Sequence, residues 1–151
     1  MISFIVEMDF LLSITTQVLV FCSSIHRADG VVEKLNKHGI EAAAMHSKKS
    51  QGARTDALHN FKTGKLKVLV ATDLASRGID IQFLTFVINY ELPRSPKDYI
   101  HRIGRTGRAS NAGSAFSLVA ETEQHHFSVI EKKMKKKVER IETIDFDLKG
   151  F

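Results

Sequence analysis

The sequence predicts an α/β domain in which helices flank a mostly parallel central sheet. Short apolar runs of strand length alternate along the chain with longer stretches whose apolar residues recur at helical spacing. The apolar runs contain few polar residues, which is typical of parallel strands that are buried on both faces. With 151 residues, the chain is long enough to bury one core of this kind.

Each predicted element follows from its local sequence. Apolar runs predict five strands, over residues 18–22, 41–45, 67–71, 86–90 and 114–120. Helical spacing of apolar residues predicts three helices, over residues 28–35, 50–61 and 122–137. Gly39 and Gly64 follow the first two helices, where glycine commonly ends a helix. Ser95 and Pro96 predict the start of a further helix, because serine caps a helix and proline suits its first position.

The apolar side chains of the first two helices are expected to face the core. They are Ala28, Val31, Val32, Leu35, Ala53, Ala57, Leu58 and Phe61. The larger aromatic residues are also interpreted as core rather than as platforms for stacking bases, namely Phe10, Phe61, Phe83, Phe86 and Phe116.

Composition and charge narrow the class of protein. The net charge of +5 favours an anionic partner such as a nucleotide or nucleic acid, although much of the excess lies in the basic run 132–137. The single cysteine, Cys22, lies in an apolar strand and is expected to be buried and reduced, with no disulfide within the chain. The sequence has no apolar stretch of membrane-spanning length and no signal-peptide pattern at its start. We therefore expect a cytoplasmic protein, with no metal site among its scattered histidines.

The polar segments follow the predicted strands. Residues 46–54 come after the second strand, residues 72–80 after the third, and an arginine-rich segment shortly after the fourth. Because ligands of parallel α/β sheets bind at the carboxyl ends of the strands, these segments predict one functional edge.

The arginine-rich segment has the composition of an anion-binding site. It contains three arginines spaced three residues apart and no acidic residue, namely Arg102, Arg105 and Arg108. A guanidinium is always charged and can bind a phosphate through two parallel hydrogen bonds. The glycines between the arginines, Gly104 and Gly107, allow the backbone to approach a ligand closely, which a solvated basic surface does not require.

The segment after the third strand has residues that could bind the ribose of a nucleotide. Thr72 offers a hydroxyl at the strand end, and Gly78 permits a tight turn that presents Asp80. An ionised carboxylate accepts hydrogen bonds from ribose hydroxyls. The same residues also fit a polar loop in which Asp73 or Asp80 caps a helix, and the segment alone does not decide between these interpretations.

Together, these two segments resemble motifs V and VI of the second RecA-like domain of the DEAD-box RNA helicases. The resemblance extends over about residues 18–136 and includes residues 18–24 (motif IV), 51–54 (motif IVa) and 89–93 (the approach to motif VI). In detail the segments look closest to the bacterial RhlE-like branch. The resemblance implies a RecA-like three-layer domain that takes part in ATP-dependent unwinding or remodelling of RNA duplexes.

The resemblance also implies roles for individual residues in a nucleotide site. Arg105 and Arg108 would be arginine fingers that reach the γ-phosphate of ATP across an interdomain cleft, and Asp80 would bind the ribose. The remaining residues would couple this site to the partner domain or line the closing interface, namely Arg77, Gly78, His101 and Arg102.

A second set of residues is implied in RNA binding. Gln51, Arg54 and Thr72 would contact the sugar-phosphate backbone, which fixes RNA without reading its sequence. The chain departs from the family at Ser47, because family members often carry glycine after the histidine that corresponds to His46.

The sequence contains no G-x-x-x-x-G-K-[S/T] phosphate loop and no Asp-Glu-Ala-Asp run. The resemblance places those motifs, and with them Mg²⁺, in an N-terminal RecA-like domain. We therefore expect a truncated protein or gene fragment, monomeric and without ATPase activity alone. Residues 1–16 would be an interdomain linker remnant, 17–138 the helicase domain and 139–151 a C-terminal extension.

Two other functions remain open on the sequence. The chain could be a stand-alone RNA-binding or regulatory module, which the sequence encoded upstream of Met1 would distinguish. It could also belong to a related translocase that acts on DNA, although the Ala-Ser-Arg-Gly form of residues 75–78 favours RNA.

Overall fold

A five-stranded sheet forms the centre of the molecule, and its strands are parallel throughout the part of the chain that the structure describes. This computed structural model describes residues 17–81, 84–107 and 113–140. The strands are β1 (Val18–Cys22), β2 (Ala42–Met45), β3 (Val68–Thr72), β4 (Phe86–Asn89) and β5 (Ser114–Ser117). Their order across the sheet is β2-β3-β1-β4-β5. The predicted α/β class is confirmed.

Within the described ranges, five α-helices connect or follow the strands. They are α1 (Ile25–Lys37), α2 (Gln51–Lys62), α3 (Asp73–Ser76), α4 (Pro96–Ile103) and α5 (Gln124–Met134), with a 3₁₀ turn at Glu121–Glu123 before α5. None of the helices in the described ranges is long and apolar enough to cross a membrane.

Strand β1 is central because it is apolar on both faces. It pairs with β3 on one side and β4 on the other. Val18 and Val20 pack with α1 on one face of the sheet, whereas Leu19 and Phe21 pack with α2 on the other. Cys22, at the end of β1, is buried as predicted, and burial is the main cause that raises the pKa of its thiol to about 12.

Serine side chains start three of the helices. Ser24, Ser50 and Ser95 each accept a hydrogen bond from the backbone N–H three residues later, which satisfies a donor that the first helical turn leaves free. Pro96 occupies the first turn of α4, as predicted. The glycines after α1 and α2 have φ of +79° and +76°, which confirms the predicted helix ends at Gly39 and Gly64.

Some predictions about the core were wrong. Ala53 is exposed in the first turn of α2, whereas Ala57 and Phe61 of the same helix are buried. Phe116 is 38% exposed on β5, the last strand of the sheet among the described residues. Phe10 and Phe83 lie outside the described residues.

The structure differs from the prediction at two helices. The single turn α3 was not predicted, because four residues are too few to show a helical period. Helix α5 ends at Met134 rather than at residue 137, since Lys135 adopts a left-handed conformation with φ of 54°. The chain then turns back, and the buried carboxylate of Glu131 accepts a hydrogen bond from the backbone N–H of Val138 at 2.9 Å.

Candidate functional site

The carboxyl ends of β1, β3 and β4 meet around one buried arginine. Arg102 on α4 is only 1% exposed, although arginine is rarely buried unless it is paired. Its Nε and Nη2 donate to the two carboxylate oxygens of Asp73, each at 2.6 Å. This bidentate pair is the strongest form of side-chain hydrogen bonding to a carboxylate. Helix α4 is thereby tied to the residue that follows β3.

The remaining contacts of Arg102 reach the other two strands. Its Nη1 donates to the side-chain oxygen of Asn89 at 3.2 Å and to the backbone oxygen of Glu91 at 2.6 Å. The guanidinium lies over the ring of Phe21, 5.1 Å from its centroid. Arg102 therefore holds the strand ends together, and its implied coupling to a partner domain stays a prediction.

Glu91 makes a second connection between these strands. Its carboxylate accepts a hydrogen bond from the backbone N–H of Ser23 at 3.0 Å and forms an ion pair with Arg27 at 3.3 Å. The end of β4 is thus fixed to the start of α1, beside the network of Arg102.

A narrow cleft opens above this network. It has a volume of about 30 Å³, roughly the volume of one water molecule in the liquid. Four of the residues implied in nucleotide binding line it, namely Arg77, His101, Arg102 and Arg105. The structure therefore brings these residues together as an open surface rather than as an enclosed pocket.

Arg105 follows α4 and is partly exposed. Its Nη1 donates to the backbone oxygen of Ile79 at 2.8 Å, which joins the arginine-rich segment to the turn after α3. Arg108, the other implied arginine finger, lies outside the described residues.

The backbone around Arg105 is fixed to the sheet. The N–H of Leu84 donates to the backbone oxygen of Arg105 at 3.2 Å, and the hydroxyl of Thr106 donates to the backbone oxygen of Leu84. Gly113 passes close to this turn, because a Cβ added to it would lie 1.9 Å from the hydroxyl oxygen of Thr106. Glycine is thus required at the start of β5 by close approach.

Arg77 pairs with a carboxylate on the next helix. Its Nη2 lies 3.3 Å from the Oδ1 of Asp98, and its side chain is 65% exposed. The hydroxyl of Ser95 is the main cause that lowers the pKa of Asp98, followed by Arg77, with a smaller contribution from His101. Asp98 is therefore held ionised between two of the implied nucleotide residues.

The predicted turn that presents Asp80 is present. Gly78 has a φ of +78°, which favours glycine, and Asp80 is exposed. Asp80 makes no hydrogen bond or ion pair with the described residues. Asp73 does not act as a cap, because its carboxylate binds Arg102 and the cap position of α3 belongs to Thr72.

The residues implied in RNA binding lie at the ends of β2 and β3. Gln51 and Arg54 are in the first turn of α2, where the Nη2 of Arg54 donates to the side-chain oxygen of Gln51 at 2.7 Å. The Nε of Arg54 is buried and has no partner among the described residues. Thr72 ends β3, is 8% exposed, and makes no side-chain cap bond to α3.

Sequence reasoning missed a polar contact beside this group. His46 is 2% exposed, and its Nε2 lies 2.9 Å from the Oδ1 of Asp29 on α1. Lys49 lies 3.2 Å from the same oxygen. The hydrogen bond to His46 is the main cause that lowers the pKa of Asp29. Ser47 does not have a positive φ, so the backbone there accommodates serine without strain.

Comparison with known proteins shows the family. The family model described as "Helicase conserved C-terminal domain" matches residues 2–110. DEAD-box ATP-dependent RNA helicase CshA of Bacillus subtilis is 41% identical over 134 residues, which cover 87% of this chain and 27% of that protein. ATP-dependent RNA helicase DBP8 of Lodderomyces elongisporus is 40% identical over 129 residues, which cover 85% of this chain and 29% of that protein. The chain thus spans less than a third of the length of these relatives.

Solved structures agree with this assignment. The C-terminal domain of the DEAD-box protein Dbp5 superposes with a TM-score of 0.81 at 32% identity, covering 94% of this chain and 84% of that chain. A DEAD box protein from Methanococcus jannaschii gives a TM-score of 0.80 at 37% identity, covering 89% of this chain and 38% of that chain. These relatives do not decide between branches, so the RhlE-like branch stays a prediction. The chain belongs to the helicase conserved C-terminal domain family, and within it to the C-terminal RecA-like domains of DEAD-box RNA helicases.

Proposed function

We propose that this chain supplies one side of a composite ATP site and part of the RNA track of an ATP-dependent RNA helicase. The observation that carries the proposal is the arrangement at the carboxyl edge of the sheet, where Arg77 and Arg105 lie at the surface beside the inward-facing Arg102. Such a surface presents positive charge to the phosphates of a nucleotide that a second domain holds.

Arg105 and Arg108 are the arginine fingers in this proposal. The acceptor that Arg105 now binds is the neutral backbone oxygen of Ile79, and a phosphate oxygen accepts stronger, charge-assisted hydrogen bonds from a guanidinium. A phosphate brought to the cleft can therefore replace this acceptor. Arginine fingers typically contribute a factor of about 10³–10⁵ to the rate of phosphoryl transfer.

The turn after α3 would contact the sugar of the nucleotide. Asp80 is exposed and leaves its carboxylate available to ribose hydroxyls, and Gly78 holds the turn that presents it. His101 and Arg77 would line the closing interface, where the exposed guanidinium of Arg77 can exchange Asp98 for a partner of the second domain. Arg102 would act indirectly, by holding the strand ends in place.

Gln51, Arg54 and Thr72 would contact the sugar-phosphate backbone of RNA. The segment that leads from β2 into α2 starts beside the end of β3, since Met45 at the end of β2 pairs with Ala71 of β3. Backbone contacts of this kind position RNA and allow discrimination by the 2′-hydroxyl, but they do not read sequence. Holding one strand in a shape that a duplex cannot follow would separate the strands locally.

ATP is the implied cofactor, and the N-terminal RecA-like domain of the helicase would hold its Mg²⁺ and phosphates. The exposed cations of the cleft fit one side of such a site. In this proposal, residues 1–16 lead in from the preceding domain, residues 17–138 form the RecA-like domain and residues 139–151 extend it.

A chimera tests the proposal. The N-terminal domain of Bacillus subtilis CshA, joined to this chain in place of its own C-terminal domain, should show RNA-stimulated ATP hydrolysis. Arg105→Ala should reduce that hydrolysis by about 10³-fold or more, while RNA affinity without nucleotide stays within about twofold. Arg105→Lys is the matched control, since it keeps the charge but loses the bidentate geometry. If Arg105→Ala chiefly lowered RNA affinity, its assignment to the phosphate would be wrong.

Arg54→Ala tests the RNA side in the same chimera. It should weaken RNA binding first, and hydrolysis should recover at saturating RNA. An unchanged RNA affinity together with lost hydrolysis would place Arg54 in the nucleotide site instead.

A further inference from the structure

Helix α1 holds both ends of strand β2. At the start of the strand, the side-chain amide of Asn36 donates to the backbone oxygen of Ala42 at 3.0 Å and accepts from its N–H at 2.9 Å. Just past the end of the strand, the Nε2 of the buried His46 lies 2.9 Å from the Oδ1 of Asp29, which is about two turns earlier on α1. Among the described residues, β2 has only β3 as a strand neighbour, so α1 supplies much of its support.

The contact with Asp29 is the one hydrogen bond of the His46 side chain within the described ranges. The pKa of Asp29 is lowered, chiefly by this hydrogen bond, so its carboxyl is ionised at neutral pH and can only accept. The Nε2 of His46 therefore carries the proton, while the buried Nδ1 has no partner in the described part of the chain. A buried N–H that loses its acceptor is costly, so without Asp29 we expect the ring to leave this position.

Asp29 also binds the far end of the loop that follows β2. This loop comprises residues 46–50 and leads directly into α2. The Nζ of Lys49 lies 3.2 Å from the same Oδ1 of Asp29, and the backbone N–H of Lys49 donates at 3.1 Å to the backbone oxygen at the start of the loop. The first turn of α2, which carries Gln51 and Arg54, begins two residues later. The position of that turn therefore depends on a carboxylate of another helix.

We propose that Asp29 is a positioning residue for the RNA track. It fixes the loop before α2 through His46 and Lys49, and it thereby fixes the first turn of α2. The inference rests on the proposed function, because it requires Gln51 and Arg54 of that turn to contact RNA.

The charge of Asp29, taken alone, acts against RNA binding. Its side chain is 47% exposed, and it lines an open groove of about 600 Å³ together with Lys48. A carboxylate there repels phosphates, and it also pairs with Lys49, whose ammonium could otherwise attract them. Charge therefore predicts that removing Asp29 strengthens RNA binding, whereas positioning predicts that it weakens RNA binding. Variants of equal charge separate the two effects.

Asp29→Asn and Asp29→Ala in the CshA chimera make that comparison. Both variants lose the charge, but only asparagine keeps an oxygen to which His46 can donate. The KM for single-stranded oligouridylate in RNA-stimulated ATP hydrolysis should be at least about fivefold higher in Asp29→Ala than in Asp29→Asn, with kcat at saturating RNA within about twofold. Equal KM values for the two variants would overturn the proposal. If Asp29→Ala does not fold, Asp29→Ser replaces it, because its hydroxyl ends one bond short of the position of Oδ1.

A double-mutant cycle distinguishes positioning from a general loss of stability. In a chimera that already carries Arg54→Ala, alanine in place of asparagine at position 29 should raise the KM for RNA by at most about twofold, because a contact that depends on Asp29 is already gone. An effect of the same size with and without Arg54 would show that Asp29 acts by another route, and the proposal would be wrong.

Asp56→Ala is the matched control for loss of an acidic charge. Asp56 is exposed on α2 and makes no hydrogen bond or ion pair with the described residues, so this variant should not raise the KM for RNA. The same measurements separate this inference from the proposed function. If Arg54→Ala leaves the KM for RNA unchanged, the RNA contact itself is wrong and this inference is wrong with it. If Arg54→Ala raises the KM but the two variants of Asp29 agree, only this inference is wrong.

Discussion

Arg102 places a buried guanidinium where three strand ends meet. Its contacts use two oxygens of Asp73, the side chain of Asn89 and a backbone oxygen of Glu91, at distances between 2.6 and 3.2 Å. Removing one partner of a buried ion pair leaves the other charge desolvated and unpaired, which is the costly case. Arg102 therefore differs from Arg105, which is partly exposed and whose guanidinium is available to a ligand.

At this residue we expect Arg102→Ala to lower the free energy of unfolding by about 3 kcal/mol, because the half-buried carboxylate of Asp73 and the oxygens of Asn89 and Glu91 all lose their donor. Arg102→Lys should recover only part of the loss, since an ammonium cannot reproduce the bidentate geometry. Urea denaturation of the isolated chain measures both effects. Arg77→Ala is the control, and its exposed pair with Asp98 should contribute less than about 1 kcal/mol. Equal losses for Arg102→Ala and Arg77→Ala would contradict the buried role of Arg102.

At the scale of the elements, the start of β5 depends on a close approach. A Cβ at Gly113 would lie 1.9 Å from the hydroxyl oxygen of Thr106 and 2.5 Å from the backbone nitrogen of Gly107. Gly113→Ala should therefore displace the turn after Arg105 and lower the thermal midpoint. Gly30→Ala is the matched control, because nothing lies within 4 Å of an added Cβ inside α1, and it should stabilise by about 0.5–1 kcal/mol. Similar midpoints for the two variants would show that the turn accommodates the methyl group.

The end of α5 depends on Glu131, whose carboxylate turns the following residues back onto the helix. Its pKa is lowered, chiefly by the hydrogen bond from the backbone N–H of Val138 and further by Arg140 and Lys137. Arg140 adds a contact of its own, 4.7 Å over the ring of Phe127. A carboxyl group with a lowered pKa in the folded state stabilises the fold above its ordinary pKa, and this contribution is lost as the pH falls through the folded value.

Glu131→Gln should therefore destabilise the chain at pH 7, and the difference from the unmodified chain should shrink as the pH falls below the ordinary range of glutamate. Thermal midpoints between pH 7 and pH 3 measure this difference. Hydrogen exchange of the Val138 amide should be faster in the variant at neutral pH. A difference that stays constant with pH would show that the charge of Glu131 is not what holds the segment. Asp29 and Asp98 also have lowered pKa values, so the unmodified chain and the Glu131→Gln variant should both lose stability as the pH falls.

At the scale of the whole molecule, the cleft of the proposed site is too small and too open to enclose a nucleotide by itself. The cleft beside Arg105 is open and has a volume of about 30 Å³, far below the 300–1,000 Å³ that are typical of ligand pockets. We expect the isolated chain to bind RNA weakly and to hydrolyse ATP no faster than the background rate in buffer. Mixing it with an equimolar N-terminal domain of CshA, without a covalent link, should give less activity than the chimera because the effective concentration is lower. Hydrolysis by the isolated chain at the rate of the chimera would refute the composite site.

The sequence determined the strands, four of the five described helices and the positions of the motifs. A strand that is buried on both faces is a continuous apolar run, which is visible in the local sequence. The predicted range of β1 therefore matches the structure, and the other strands differ by a few residues at their ends. The serine caps and the glycine at position 78 are equally local, because a cap bond or a positive φ involves only neighbouring residues. The family resemblance then identified the domain, which the comparisons confirm.

Only the tertiary structure decided which arginine of the segment is buried and which lies at the surface. Arg102 and Arg105 are three residues apart and look alike in the sequence, yet one is buried against Asp73 and the other reaches the backbone of Ile79 at the surface. That difference depends on which strand ends lie beneath α4, and strand order is set by long-range packing rather than by local sequence. The ion pair of Arg102 with Asp73 joins residues that are 29 positions apart in the chain and meet only in the folded molecule.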